Sequence, residues 1–225
     1  MCFSASASFG AAIVLGTIGV ATIRKVQYPA QIAFAAIPFF FAIQQLIEGS
    51  LWLVLSNPIY PKTQHVLTYL FLIFAEVIWP LCVPLAIIIV EPKNKQRFIQ
   101  KIFILLGIVA SVYLSYCLMH FPVSAIIQEH HILYKQQFPA NLNIICGICY
   151  LSATIGPAVF SKINYVKILG IIILISCVVT AYFYNQYLIS VWCFFSSIIS
   201  LSVYGILQHL KNSNQLAKAL PTLKV

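Results

Sequence analysis

Aspartate is absent from this chain, and acid of any kind is scarce: Glu48, Glu76, Glu91 and Glu129 are its only carboxylate side chains. Charged residues make up 8% of the 225 positions and hydrophobic residues 61%. A soluble domain is about a quarter charged, and a fold of this length cannot hide so much apolar surface from water. A soluble globular protein is therefore excluded, and the bilayer is the solvent that suits the composition. The net charge of +9 does not point to nucleic acid, because no basic patch alternates with aromatics; the basic residues punctuate the apolar runs.

Other absences narrow the function. The run 187–208 contains no lysine, which excludes a retinal Schiff base in the last helix. Histidines sit only near the ends of the apolar runs, so a bis-histidine haem within the bilayer has no ligands. A ceramidase-like zinc hydrolase would want three His, a Ser and an Asp; histidines and Ser50 exist, Asp does not, and a Glu would have to substitute. No nucleotide or flavin fingerprint occurs, and no cofactor is identified. The first apolar segment lacks a preceding basic region, so no cleavable signal peptide is expected. Of the seven cysteines (Cys2, Cys82, Cys117, Cys146, Cys149, Cys177 and Cys193), all but Cys2 fall inside apolar runs, which does not indicate a disulfide framework. Cys146-Gly-Ile-Cys149 has redox spacing, but in an apolar helix a thiolate would be desolvated, and packing is the better reading.

What remains is an all-α, polytopic membrane bundle. A span needs about 20 apolar residues, and the runs 7–23, 31–55, 65–90, 100–119, 140–160, 165–184 and 187–208 qualify. In lipid, backbone polar groups must be satisfied within the segment, which selects helices. Placing the N-terminus outside leaves eleven basic residues in cytoplasmic loops and the tail, and only Lys62 and Lys135 outside. That bias orients the bundle with its C-terminus in the cytoplasm. The expected organisation is a seven-helix domain over 1–210 and a short, fraying tail over 211–225. The long outer connection 120–139 is too polar to span and should pack on the outer surface through Ile126, Ile127, Ile132, Leu133, Tyr134 and Phe138. Comparison of 7–90 with 140–208 gives no residue-level support for an internal repeat.

Polar residues at membrane depth carry the functional expectation, because each costs a few kcal/mol unless partnered. Gln45, Glu48 and Trp52 recur at helical spacing in the second run, with Gln44 one turn before Glu48. Glu76 lies mid-run, followed by Trp79, Pro80 and Pro84; Pro80 should free the carbonyl of Glu76 and kink the helix. Ser190, Cys193, Ser197, Ser200 and Tyr204 share one face of the seventh run, and Gly107, Ser111 and Ser115 one face of the fourth, both readable as close helix packing. His65, His120, His130 and His131 map to the outer side together with Cys2, Ser4 and Glu129, a chemistry suited to Zn or Cu, although the spacing fits no compact metal motif. Removal of Met1 would make Cys2 a terminal amine and thiol, a chelate or nucleophile.

The opening Met-Cys-Phe-Ser-Ala, the Gln44-Gln45-Leu46-Ile47-Glu48-Gly49 segment with Trp52, the His130–Tyr134 segment and the Ser190–Phe195 segment together resemble an uncharacterised bacterial family of short integral membrane proteins. The resemblance implies a seven-helix fold of unknown activity in the bacterial inner membrane. It points to the same outer-face residues as the cost of burial does.

Together these readings give a membrane protein with an outward cavity, non-enzymatic rather than catalytic: a transporter, receptor or sensor for a small molecule or ion. Cys2, Ser4, Gln45, Glu48, Trp52, Glu76, His130, His131, Tyr134 and Trp192 are its candidate ligand-binding residues, with Glu76 at the base and the 130–134 segment as lid. The alternatives are a metal-dependent intramembrane hydrolase, using Glu48 as base and His65, His120, His130 or His131 as ligands, and a purely structural role. The expected partners are the lipid bilayer and a small ligand, not nucleic acid.

Overall fold

The computed structural model describes residues 4–57, 59–91, 97–128, 130–183 and 196–219. Its elements are α1 (Ala5–Ile23), a 3-10 turn (Pro29–Gln31), α2 (Ile32–Ala35), α3 (Ile37–Leu55), α4 (Pro61–Leu72), a π-helical segment (Ile73–Ile78), α5 (Trp79–Val90), α6 (Arg97–His120), β1 (Val123–Gln128), β2 (His131–Gln136), α7 (Ala140–Val159), α8 (Asn164–Phe183) and α9 (Ser196–Ala219). Among the described residues, six helical stretches are long and apolar enough to cross a membrane: 5–23, 29–55, 61–90, 97–120, 142–159 and 164–182. The exterior carries Ile13, Val112, Ile144, Ile175 and Leu201 exposed, a surface suited to hydrocarbon rather than water. The expected seventh run lies partly outside the described residues; its described half forms α9, which continues past the anticipated boundary at 210 to Ala219.

Two helices are broken for identifiable reasons. In the second span, Pro38 sits at the start of α3 and cannot donate a backbone hydrogen bond, so α2 ends at Ala35 and the helix restarts beyond Ala36. In the third, the π-helical segment precedes Pro80. The sequence singles out the Glu76 carbonyl as the group freed by Pro80; side-chain hydroxyls instead reach the carbonyls on either side of it. Tyr150 Oη donates to the Ala75 carbonyl at 2.6 Å, and Ser111 Oγ donates to the Val77 carbonyl at 2.9 Å. An irregular backbone deep in an apolar bundle needs such donors. The small-residue face of α6 is explained by the same contact: a Cβ on Gly107 would overlap the Pro80 carbonyl oxygen and lie 3.0 Å from its carbon.

Among the described residues, the connection 120–139 is the one that forms strands. It folds as an antiparallel hairpin in which Val123 pairs with Gln136, Ala125 with Tyr134 and Ile127 with Ile132. The alternation buries Val123, Ala125, Ile132 and Tyr134 and exposes Ser124, Ile126 and Lys135. The buried face packs on the ends of α3, α4 and α6 through Leu51, Phe71 and Leu118. Tyr134 stacks on Phe71 with a centroid separation of 4.9 Å, and Gln64 Nε2 donates to the Ala125 carbonyl at 3.3 Å. The segment thus packs onto the bundle as expected, but as paired strands rather than as an irregular loop.

At the opposite end, the basic loops meet. Lys25 lies 5.7 Å from the centre of the Tyr204 ring, and His209 packs on Tyr165 at 4.3 Å. Glu91, at the end of α5, is buried and ties the α7–α8 turn. It accepts hydrogen bonds from Ser161 Oγ at 2.7 Å and from the Lys162 backbone N–H, while the Ile163 N–H donates to Ser161 Oγ at 3.0 Å.

Candidate functional site

A cavity of about 280 Å³ runs inside the bundle between α2–α3, the π segment and α5, α7, α8 and α9, with the end of β2 over it. Along α7 its wall extends from Asn143 to Ala158, fifteen residues or about 22 Å of helix axis. The wall is chemically divided. Among the described residues it carries Glu76, Gln44, Gln136, Asn143 and Tyr150 toward the hairpin, Thr154 past its middle, and apolar groups such as Phe34, Ile87, Ala158 and Leu169 toward the basic-loop end. Glu76 is the one carboxyl on the wall, and no Lys, Arg or His lies there among the described residues.

Most polar atoms on this wall are already engaged. Trp79 Nε1 donates to Gln44 Oε1 at 2.7 Å. Thr154 Oγ1 donates back to the Tyr150 carbonyl at 2.9 Å, as buried hydroxyls in apolar helices do. Gln136 Nε2 donates to Glu76 Oε1, joining the hairpin to the π segment. Glu76 is 7% exposed, and its second oxygen, Oε2, is buried without a hydrogen-bond partner. A buried carboxyl oxygen left unsatisfied costs free energy and calls for an explanation.

Glu76 stands on the cavity wall, with neighbours other than those the sequence spacing suggests. Gln45, Glu48 and Trp52 are buried but off the cavity wall, to which their helix contributes Ile37, Phe41 and Gln44. Gln45 Nε2 donates to Glu48 Oε2 at 3.0 Å, along one helix, and Trp52 belongs to the apolar cluster beneath the hairpin. Of the hairpin strands, Gln136 is on the cavity wall; His130, His131 and Tyr134 are not. Cross-strand pairing with inward-facing Val123 places Gln136 on the bundle side of the hairpin, Tyr134 on the same side packs on Phe71, His131 is buried and His130 is exposed at the turn. Ser4 caps α1, its Oγ accepting from the Ala7 N–H at 3.2 Å, which accounts for it structurally. Cys2 and Trp192 lie outside the described residues, as do Glu129, Ser190 and Cys193.

The histidines proposed as metal ligands are dispersed. His65 stacks on Tyr69 at 4.5 Å, and His120 stacks on Tyr116 at 4.1 Å. Both packings are within a helix turn, and both histidines are exposed. Among the described residues no three His, Cys, Asp or Glu side chains gather where they could hold a metal ion. Cys82, Cys117, Cys146, Cys149 and Cys177 are free thiols. Cys146 is buried, its Sγ 4.0 Å from the Ala110 carbonyl on α6, as expected for a packing residue.

A family model covers residues 1–218, almost the whole of this divided, cavity-bearing bundle. The chain belongs to DUF6629, a family of unknown function. No curated protein and no solved structure matches it. For this DUF6629 chain, the chemistry of the cavity is accordingly what bears on function.

Proposed function

We propose that this chain is a multi-pass protein of the bacterial inner membrane that binds a small molecule in the intramembrane cavity, as a transporter, receptor or sensor rather than an enzyme. Seven spans, with the N-terminus and hairpin outside and the C-terminus in the cytoplasm, agree with the excess of basic residues in the loops at one end. The observation that carries the reading is the Glu76 carboxyl: buried, unpartnered at Oε2, and standing on a cavity wall. An ionisable group at membrane depth is retained at a cost, and a ligand supplying the missing hydrogen bond offsets that cost.

Gly147 provides the test. It lines the cavity, and a Cβ there would meet no atom within 4 Å, so a leucine enters open space without straining the backbone. Native mass spectrometry of wild-type protein exposed to an extract of its host membrane should show one retained organic mass. Gly147→Leu should fold normally and lose it. An extract that adds no mass to the wild-type protein counts against the reading, as does undiminished binding by a well-folded Gly147→Leu.

A further inference from the structure

Resting on that cavity, we infer that its occupant is a single-chain amphiphile with a primary amine head, the head at Glu76 and the alkyl chain along α7 toward Ala158. Three independent features define this ligand. Width comes first. A volume of about 280 Å³ drawn out over about 22 Å of helix is small even for a drug-sized pocket. It suits one extended hydrocarbon chain better than the paired chains of a phospholipid.

Polarity fixes the direction. Among the described residues, the far end of the cavity beyond Thr154, whose hydroxyl is held by its own helix, offers a chain apolar walls from Phe34, Ile87, Ala158 and Leu169, while Glu76, Gln44, Gln136, Asn143 and Tyr150 lie toward the hairpin. A head group at that far end would lose its hydration with nothing in return. The head therefore sits at the level of Glu76 and Gln136.

Charge selects the head. A carboxyl oxygen without a partner calls for a donor, and among the described residues the wall brings no lysine, arginine or histidine to serve as one. Gln136 directs one of its N–H groups to the other oxygen, the Tyr150 hydroxyl goes to the Ala75 carbonyl, and the neutral amides on the wall bring no charge. An ammonium supplies both the hydrogen and the opposite charge. Aromatic surface lies on the same wall: Trp79, three residues from Glu76, packs on Phe41 at 4.2 Å, and aromatic faces attract cations. A fatty carboxylate would oppose Glu76. A fatty alcohol could donate one hydrogen bond but brings no charge.

The experiment compares dodecylamine, dodecan-1-ol and dodecanoate, equal in chain length, on full-length protein in a sterol-based non-ionic detergent, read by native mass spectrometry and thermal shift. Wild-type protein should take one equivalent of dodecylamine, bind the alcohol at least tenfold more weakly, and reject the carboxylate. Glu76→Gln should reduce the amine affinity by roughly 10- to 100-fold, to the level of the alcohol, since hydrogen bonds to charged groups are the strong ones. The inference is overturned if amine and alcohol bind wild-type protein alike, if no amine binds, or if Glu76→Gln keeps the preference for amine. The wild-type comparison decides the matter even should Glu76→Gln fail to fold. Gly147→Leu separates the two levels: loss of every probe in that variant upholds the cavity whichever head group wins, and retention of all of them removes the cavity reading as well.

Discussion

Replacing Gly107 with alanine tests the contact on which the geometry of the site depends. The added Cβ would overlap the Pro80 carbonyl oxygen, with the carbonyl carbon at 3.0 Å and Ala153 Cβ at 3.4 Å. The obstacle is main chain, which cannot swing aside, so α6 must retreat from α5 by roughly 1 Å to restore ordinary contact distances. Overpacking of this kind costs about 1–3 kcal/mol. Alanine recovers up to about 1 kcal/mol through helix propensity, while strain on the Ser111–Val77 hydrogen bond, one turn away, returns about 0.6 kcal/mol to the cost. The expected net loss is about 1–3 kcal/mol, or a Tm lower by about 2–10 °C. Cys117, Cys146 and Cys177 are buried free thiols, so a thiol-reactive fluorophore reports unfolding without further labelling. Gly147→Ala is the matched control, because its Cβ meets nothing, and its Tm should hold or rise. A Gly107→Ala protein as stable as wild type would refute the close approach of α5 and α6.

Further predictions follow from the same hydrogen bonds. Tyr150→Phe removes the hydroxyl from the Ala75 carbonyl and should cost about 1–2 kcal/mol, read by the same thermal assay; an unchanged Tm would mean that the π segment satisfies that carbonyl otherwise. Glu91→Ala deletes the acceptor for Ser161 Oγ and the Lys162 N–H. It should lower stability by about 2–4 kcal/mol and make the 161–163 turn a site of limited proteolysis, whereas resistance equal to wild type would contradict the tie. Glu76→Leu and Gln136→Leu should each destabilise by about 1–3 kcal/mol by orphaning the other partner, and the double variant should cost less than their sum; strict additivity in that cycle would show that the two side chains do not interact.

The helical spans were legible because hydrophobic run length and loop charge are local properties: the expected 7–23, 65–90 and 100–119 differ from the observed stretches by a few terminal residues. The hairpin was less so. Its period of two was present in Val123, Ala125 and Ile127 and again in Ile132, Tyr134 and Gln136, but a two-stranded ribbon is marginal alone, and the bundle ends that stabilise it are distant in sequence. The same alternation would have nominated Gln136, the residue that does reach the site. Glu48 looked as promising as Glu76 because burial cost is blind to direction. Which helix face meets a cavity depends on tertiary packing, and so Gln44, one position from Gln45, faces the cavity instead.

The three described acids are held in different ways. Glu48 shares a hydrogen bond with Gln45 three residues away on its own helix, and Glu91 closes a turn through Ser161 and the Lys162 backbone. Both bonds serve local or packing ends. Glu76 is tied to Gln136 across 60 residues of sequence, on the strand that covers the cavity, and keeps one oxygen free. Its direction is set by the π segment. One extra residue in a helix turns everything beyond it by about 100°, so α4 and α5 could not both keep their packing faces with a regular helix between them. Tyr150 and Ser111 stabilise that irregularity from neighbouring helices, at the carbonyls of Ala75 and Val77 flanking Glu76. Irregular turns of this kind gather at functional sites because they re-aim a side chain that a regular helix would point elsewhere. Deleting one residue within 73–78 should therefore rotate Glu76 away from the cavity and abolish amine selectivity, even where the shortened helix still spans the bilayer.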